Sequence, residues 1–143
     1  MESGIKNNII GFINLLEQSI KNKINNITLV STDKAVSPTT VMGMTKRVCE
    51  MILFNEIVKN NNLNFSVVRF GNVFNSSGSV ISIFKKQLQK NQDLTLTDPK
   101  VTRYFMSIKE AANLVIKSSM ISSGGELFIL DMGEPLKILD VQR

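Results

Sequence analysis

The sequence predicts an α/β fold, in which a parallel β-sheet is covered by helices. Apolar residues recur at helical spacing in several segments, short β-branched runs follow these segments, and the two patterns alternate along the chain. Because parallel strands need long crossover connections, this alternation favours right-handed βαβ units. The chain has 143 residues, 43% of them hydrophobic, which suits one ordinary domain.

The first half of the chain predicts two helices, each followed by a strand. Residues 5–20 carry apolar side chains three and four positions apart, which indicates a helix buried on one side. Residues 26–31, NITLVS, predict a short buried strand. Residues 41–60 return to helical spacing, with one of the two preceding threonines as N-cap, and residues 64–70, NFSVVRF, predict another strand.

The second half repeats this order. We predict a helix over residues 80–90, a strand over 93–97, a helix over 109–120 and a strand over 126–131. The loops are short, and neither a low-complexity linker nor an internal repeat interrupts the pattern. Residues 1–143 are therefore interpreted as a single partial domain.

The composition excludes several classes of function. The formal net charge is +5, but the lysines are scattered and are not interleaved with aromatic residues as in single-strand nucleic-acid binders, so no nucleic-acid partner is expected. With no histidine and one cysteine, the chain offers neither a zinc site nor a disulfide. The cysteine usage and the lack of a long apolar run favour a cytoplasmic location.

The stretch STDKAVSPTTVMGMTK carries the candidate chemistry. Thr32, Asp33 and Lys34 follow the first strand, and the carboxyl ends of parallel strands are where ligands bind in open α/β sheets. Met42 and Lys46 lie one helical turn apart on the next helix. An adjacent carboxyl and amine can serve as acid and base, although a surface ion pair would have the same spacing.

Four stretches, in order, resemble one known family. They are STDKAVSPTTVMGMTKR, VVRFGNVFNSSGSVISIF, LTLTDPKVTRYFMSIKEAANLV and GGELFILDMGEPLKI. The family is that of the CapD-like polysaccharide biosynthesis proteins, nucleotide-sugar 4,6-dehydratases of the extended short-chain dehydrogenase/reductase superfamily that typically act on UDP-N-acetylglucosamine. The resemblance implies the C-terminal half of a Rossmann-like sheet with part of a small substrate-binding region. The chain contains no G-x-G-x-x-G, so the N-terminal glycine-rich half for NAD is expected to be absent.

In such dehydratases NAD oxidises carbon 4 of the sugar, water is eliminated across carbons 5 and 6, and carbon 6 is then reduced. The resemblance implies that Lys34 is the base at carbon 5. It likewise makes Asp33 the acid for the departing hydroxyl and Thr32 the hydrogen-bonding partner of the carbon 4 oxygen. The nucleotide sugar is the expected partner.

Lys46 matches the lysine of the Tyr-x-x-x-Lys motif, which holds the nicotinamide ribose. Met42 stands in the tyrosine position, as in the large, membrane-anchored subgroup of the family. A thioether has no proton to exchange, so the first deprotonation is left to Asp33, Thr32 or a bound water.

Other matched positions are assigned to ligand contacts. The resemblance implies that Phe70 borders the nicotinamide, that Asn72 contacts the substrate diphosphate and that Arg103 contacts the nucleotide phosphates. Asn8 resembles the helix asparagine that orders water near the lysine, and Gly-Ser-Val at residues 78–80 is expected to line the sugar or uracil pocket. Taken alone, Asn72 could be a turn residue and Arg103 part of a surface ion pair.

The full-length parent is expected to form a homo-oligomer, with anchoring to the inner membrane as an option for the subgroup. The 143 residues alone are expected to be inactive. A nucleotide-sugar epimerase and a non-catalytic nucleotide-sugar-binding remnant remain alternatives.

Overall fold

A computed structural model describes residues 2–59, 64–74, 80–96, 98 and 100–141. The chain divides into two compact units. The first contains Met1–Phe70 and Leu114–Leu130, and the second contains Gly71–Asn113 and Asp131–Arg143. The interpretation of residues 1–143 as a single partial domain stays a prediction.

Helices and strands alternate through most of the chain. The first helix, α1, has an α-helical turn, a π-helical segment and an α-helical segment in succession: Glu2–Gly4, Ile5–Ile10 and Gly11–Lys21. The other helices are α2 (Val41–Lys59), α3 (Val80–Gln89), α4 (Ile108–Ile121) and α5 (Ile138–Val141). The strands are β1 (Asn26–Thr32), β2 (Asn64–Phe70), β3 (Asn72–Val73), β4 (Thr102–Arg103), β5 (Phe105–Met106), β6 (Leu127–Ile129) and β7 (Leu136–Lys137).

The described part of the first unit contains a parallel sheet in the order β1-β2-β6. Asn26 lies opposite Asn64, and Thr32 lies opposite Phe70, so β1 and β2 end at the same edge. Phe65, Val67 and Val68 of the central strand are completely buried, as expected for a parallel strand covered on both faces. The parallel α/β arrangement predicted from the sequence is confirmed.

The core of the first unit lies between this sheet and helices α1 and α2. Its buried members are Leu16, Leu29, Cys49, Leu53, Phe65 and Val67. Full burial of one such aliphatic or aromatic side chain contributes about 1.5–3 kcal/mol. This packing fixes α2 against the strands whose ends carry the candidate site.

Helix α2 begins where the sequence places a cap. The hydroxyl of Thr40 accepts a hydrogen bond from the backbone N–H of Gly43 at 3.2 Å, which satisfies one donor of the first helical turn. The structure therefore selects Thr40 from the two predicted candidates.

The second unit is built from two short strand pairs. β3 pairs with β5 in parallel, and β4 pairs with β7 in antiparallel orientation. Phe84, Phe105 and Ile138 form its buried cluster, and the ring of Phe74 stacks on that of Phe105 with centroids 4.8 Å apart.

The predicted strand over residues 93–97 is wrong for residues 93–96, which form no regular element, while Thr97 lies outside the described residues. Leu94 and Leu96 pack against the buried cluster of the second unit, so their alternation reflects burial without a strand partner. The side chain of Gln87 bonds to the backbone N–H and the hydroxyl of Thr95, at 3.3 and 2.9 Å. A glutamine side chain thus bonds this segment at Thr95.

Candidate active site

Thr32, Asp33 and Lys34 form one hydrogen-bonded group at the carboxyl end of β1. The strand ends at Thr32, and a 3₁₀ turn follows at once over Asp33–Ala35. The hydroxyl of Thr32 donates to Oδ1 of Asp33 at 2.8 Å, and the ammonium of Lys34 donates to the same oxygen at 2.8 Å. The structure thus brings the three predicted residues together.

The Asp33 carboxyl is the acceptor in this group. Partial burial acts to raise the pKa of Asp33, but the hydrogen bonds from Lys34 and Thr32 outweigh it, so the pKa lies below its ordinary value. The side chains of Asp33 and Lys34 remain 49% and 37% exposed. A ligand can therefore reach both groups.

Lys46 lies against the same strand. Its ammonium donates to the backbone carbonyl of Val30 at 3.0 Å, two residues before the strand ends at Thr32. Met42 is one turn earlier on α2 and its side chain is 44% exposed. Met42 and Lys46 therefore lie in the first two turns of the helix that follows the triad of Thr32, Asp33 and Lys34.

Gly43 allows α2 to approach the turn. A β-carbon at this position would lie 2.5 Å from the carbonyl oxygen of Lys34 and 3.4 Å from Cβ of Pro38. Real β-carbons do not approach a carbonyl oxygen so closely. The sequence analysis did not predict a role for Gly43. A glycine in a helix interior beside a proposed site residue nevertheless indicates a packing or functional constraint.

The π-helical segment of α1 contacts α2 between Met42 and Lys46. The amide of Asn8 donates to the hydroxyl of Thr45 at 2.9 Å, and that hydroxyl donates to the carbonyl of Met42 at 2.9 Å. The thiol of Cys49 donates to the carbonyl of Asn8 at 3.1 Å. Asn8 thus binds the residue before Lys46, while the ordering of water near that lysine stays a prediction.

A buried ion pair connects α2 to the strands that end at the candidate site. Glu50 of α2 is fully buried and accepts from Nε and Nη2 of Arg69 at 2.8 and 2.5 Å. It also accepts from the hydroxyl of Ser31 at 2.6 Å and from Arg47 at 3.1 Å. Burial acts to raise the pKa of Glu50, but the bonds from Arg69, Ser31 and Arg47 outweigh it and hold the pKa below its ordinary value.

The sequence reasoning missed this network as well. Arg69 follows two valines in the buried strand NFSVVRF, and Glu50 lies between Cys49 and Leu53 on the buried face of α2. A charged residue at a core position usually has a buried partner of opposite charge. That rule would have singled out both residues.

The remaining predicted ligand contacts occupy different places in the fold. Phe70 is the half-buried last residue of β2 in the first unit. In the second unit, Asn72 of β3 donates its backbone N–H to the carbonyl of Tyr104 at 3.2 Å. The guanidinium of Arg103 in β4 is exposed and donates to the carbonyl of Thr102 at 2.8 Å. Gly78 and Ser79 lie outside the described residues, and the side chain of Val80 is not described.

The described residues provide neither a metal site nor a membrane-spanning helix. No group of three or more Cys, Asp or Glu side chains there could hold a metal ion. None of the described helices combines the length and apolar character needed to cross a membrane.

Comparison with known proteins relates the whole chain to one family. A sequence model described as polysaccharide biosynthesis protein matches residues 1–143. The capsular polysaccharide biosynthesis protein CapD of Staphylococcus aureus is 45% identical over 139 residues, which are 97% of this chain and 23% of that protein. The probable polysaccharide biosynthesis protein EpsC of Bacillus subtilis is 49% identical over 142 residues, which are 99% of this chain and 24% of that protein. The chain thus spans about a quarter of the length of these relatives.

A relative with a different named activity also matches. The UDP-glucose 4-epimerase of Rickettsia canadensis is 37% identical over 127 residues, which are 87% of this chain and 37% of that protein. This similarity is lower than that to CapD and EpsC.

Solved structures share the fold. Pen from Bacillus thuringiensis superposes with a TM-score of 0.87 at 34% identity, covering 96% of this chain and 43% of that one. The UDP-N-acetylglucosamine 4-epimerase of Bacillus cereus gives a TM-score of 0.71 at 25% identity, with coverages of 92% and 51%. The dTDP-glucose 4,6-dehydratase of Bacillus anthracis, solved with NAD, gives 0.83 at 18% identity, with coverages of 94% and 49%. The fold is therefore of the Rossmann type, and the chain spans about half of these structures.

Proposed function

The chain belongs to the polysaccharide biosynthesis protein family, and from this membership we propose that it is the catalytic part of a nucleotide-sugar 4,6-dehydratase, a lyase that acts on UDP-N-acetylglucosamine in the synthesis of glycan precursors. The observation that carries the proposal is the hydrogen-bonded group of Thr32, Asp33 and Lys34. An elimination needs an acid and a base close together, and this group supplies both.

NAD is the proposed cofactor, with Lys46 and Phe70 as its contacts in this chain. The bond from Lys46 to Val30 uses one of the three ammonium protons, so the others suit the two hydroxyls of a ribose. Phe70 ends β2 at the sheet edge where β1 ends and the triad begins. When bound, NAD would supply the oxidation at carbon 4 and the reduction at carbon 6.

The triad can move the protons of the elimination in a closed cycle. Thr32 bonds the carbon 4 hydroxyl and passes its proton to Asp33 across their 2.8 Å contact. The ammonium of Lys34, which bonds Asp33 in the structure, must first release a proton to solvent. The resulting amine then takes the proton from carbon 5, and Asp33 gives its proton to the carbon 6 hydroxyl, which leaves as water. This step leaves an Asp33 carboxylate beside a Lys34 ammonium, two groups whose Oδ1 and Nζ atoms lie 2.8 Å apart. Return of the proton from Lys34 to carbon 5 completes the cycle.

Asn72 and Arg103 are proposed to bind the substrate diphosphate and the nucleotide phosphates. A guanidinium suits two phosphate oxygens at once, and that of Arg103 is exposed. Its present bond is to a neighbouring backbone carbonyl, which a phosphate could replace.

The proposal is tested on the full-length protein that carries this chain. Incubation with UDP-N-acetylglucosamine should give a product lighter by the mass of one water. Lys34→Ala should abolish this product, whereas Lys59→Ala, which removes an exposed lysine paired with Glu56, should leave the rate unchanged. A wild-type rate for Lys34→Ala would overturn the assignment of the base.

The second candidate is a nucleotide-sugar 4-epimerase, favoured by the 37% identity to the Rickettsia canadensis enzyme. An epimerase returns hydrogen to carbon 4 and loses no water, so it has no use for an acid and a base at carbons 5 and 6. A product of unchanged mass with inverted carbon 4 would decide for this alternative.

We also propose that the full-length protein forms a homo-oligomer in the cytoplasm. Met44, Val48 and Met51 follow one another at helical spacing on α2 and are exposed, which suits contact with a second copy. The free thiol of the buried Cys49 suits a reducing compartment. Light scattering should report an oligomer, and Val48→Glu should shift it toward the monomer.

A further inference from the structure

Glu50 joins the three elements that carry the candidate site. Each of its partners is the chain neighbour of a proposed site residue. Ser31 immediately precedes Thr32, Arg47 immediately follows Lys46, and Arg69 immediately precedes Phe70. One carboxylate therefore contacts the ends of β1 and β2 and its own helix, α2.

The geometry of these contacts restricts movement. Arg69 binds both oxygens of Glu50, so the guanidinium and the carboxylate are held in one relative orientation. The bond from Ser31 reaches Oε1 at 2.6 Å, and Glu50 is 0% exposed, so water does not compete for these positions. A shift of β1 along β2 would break the bond to Ser31 or the bonds to Arg69.

A buried ion pair is weak evidence for stability, because the cost of removing both charges from water offsets their attraction. Apolar residues of similar volume would fill the same space. The role of the pair then lies in the arrangement of β1, β2 and α2 that it fixes.

We propose that Glu50 is a positioning residue, which holds Lys34 and Lys46 at a fixed separation by joining the backbone beside Thr32 to the helix beside Lys46. The role of this positioning in catalysis rests on the proposed function. The positions of Lys34 and Lys46 can be measured without any turnover.

The test uses Ser31→Ala in the full-length protein, because this variant keeps the Glu50–Arg69 pair and removes only the link to β1. The matched control is Thr28→Val, which removes another hydroxyl bond between β1 and β2, that of Thr28 with Ser66 at 3.0 Å. Lysines are dimethylated with ¹³C and observed by NMR. The signals of Lys34 and Lys46 should shift in Ser31→Ala and stay in place in Thr28→Val, while Lys59 reports no change in either.

Kinetics give the second measurement. Ser31→Ala should lower kcat by about 10- to 100-fold with KM unchanged, because misplacement of a reacting group has effects of this size. With substrate deuterated at carbon 5, the isotope effect on kcat should rise, since proton removal by Lys34 becomes slower than the other steps. A partly unfolded enzyme would lose rate without a change in the isotope effect.

The two measurements separate the two proposals. Unmoved Lys34 and Lys46 signals in Ser31→Ala would overturn the positioning role, whatever the enzyme does. Shifted signals in a protein that removes no water from UDP-N-acetylglucosamine would overturn the proposed function and leave the positioning role in place.

Discussion

A β-carbon at Gly43 would lie 2.5 Å from the carbonyl oxygen of Lys34, so the first turns of α2 rest directly on the backbone of the candidate base. Contact with a backbone carbonyl is harder to relieve than contact with a flexible side chain. The absence of a side chain at Gly43 therefore allows the short distance between α2 and the 3₁₀ turn at Asp33–Ala35.

Gly43→Ala should displace Lys34. We expect a loss of activity of about 10²-fold, because a shift near 1 Å has this effect on a reacting group. Overpacking should cost about 1–3 kcal/mol of stability, although alanine is the better helix former. Turnover and urea unfolding of the full-length protein measure the two effects.

Gly11→Ala is the matched control. A β-carbon at Gly11 would meet the carbonyl of Lys6 at 3.7 Å, an ordinary contact, in a helical backbone. This variant should gain up to about 1 kcal/mol of stability and keep its activity. Equal effects of the two substitutions would contradict the steric argument for Gly43.

Thr40→Ala should destabilise the fold by about 0.5–2 kcal/mol, because it removes the acceptor for the backbone N–H of Gly43. The neighbouring Thr39 is exposed, so Thr39→Ala should stay within about 0.5 kcal/mol of the wild type. Midpoints of urea unfolding measure both. A larger effect at Thr39 would move the cap by one residue.

The sequence predicts the parts of this fold that depend on local patterns. β2 carries the β-branched and aromatic residues Phe65, Val67, Val68 and Phe70, and its inner residues are buried on both faces, so its predicted bounds agree with the structure. The strand expected around Leu94 and Leu96 is wrong because alternation reports only which side chains are buried. It does not report whether another strand lies beside them.

Only part of the candidate site could likewise be predicted from the sequence. Thr32, Asp33 and Lys34 are consecutive, so their proximity follows from the chain itself. The pairing of Glu50 with Arg69 depends on how α2 lies across β2, and the contact of Gly43 with Lys34 depends on how closely the helix approaches. Such distances arise from packing, which no local pattern contains.

Met42 and Lys46 should respond differently to substitution. Met42→Leu keeps the volume and removes a thioether that has no proton to give, so kcat should stay within about threefold. Lys46→Met removes the proposed ribose contact and should weaken NAD binding by about 10-fold or more. Titration with NAD and turnover of both variants test this. Complete inactivity of Met42→Leu with NAD binding retained would assign the sulfur a role that the proposed cycle lacks.

Stability should fall at acid pH through Glu50. Its pKa is lower in the folded chain than in the unfolded chain, so the pair's contribution is fully present above the ordinary glutamate pKa of about 4.3 and is lost as the pH falls through the lower folded value. Glu50→Gln leaves the charge of Arg69 buried without an opposite charge and should cost about 3–5 kcal/mol near neutral pH. That difference from the wild type should shrink as the pH falls below about 4, because the wild type then loses the same charge.

Urea midpoints measured between about pH 6 and pH 3 give this pH profile. The matched control is Glu56→Gln, at a partly exposed pair with Lys59, which should differ from the wild type by about 0.5 kcal/mol or less at every pH. A cost of Glu50→Gln that does not change with pH would mean that the charge of Glu50 contributes nothing to stability.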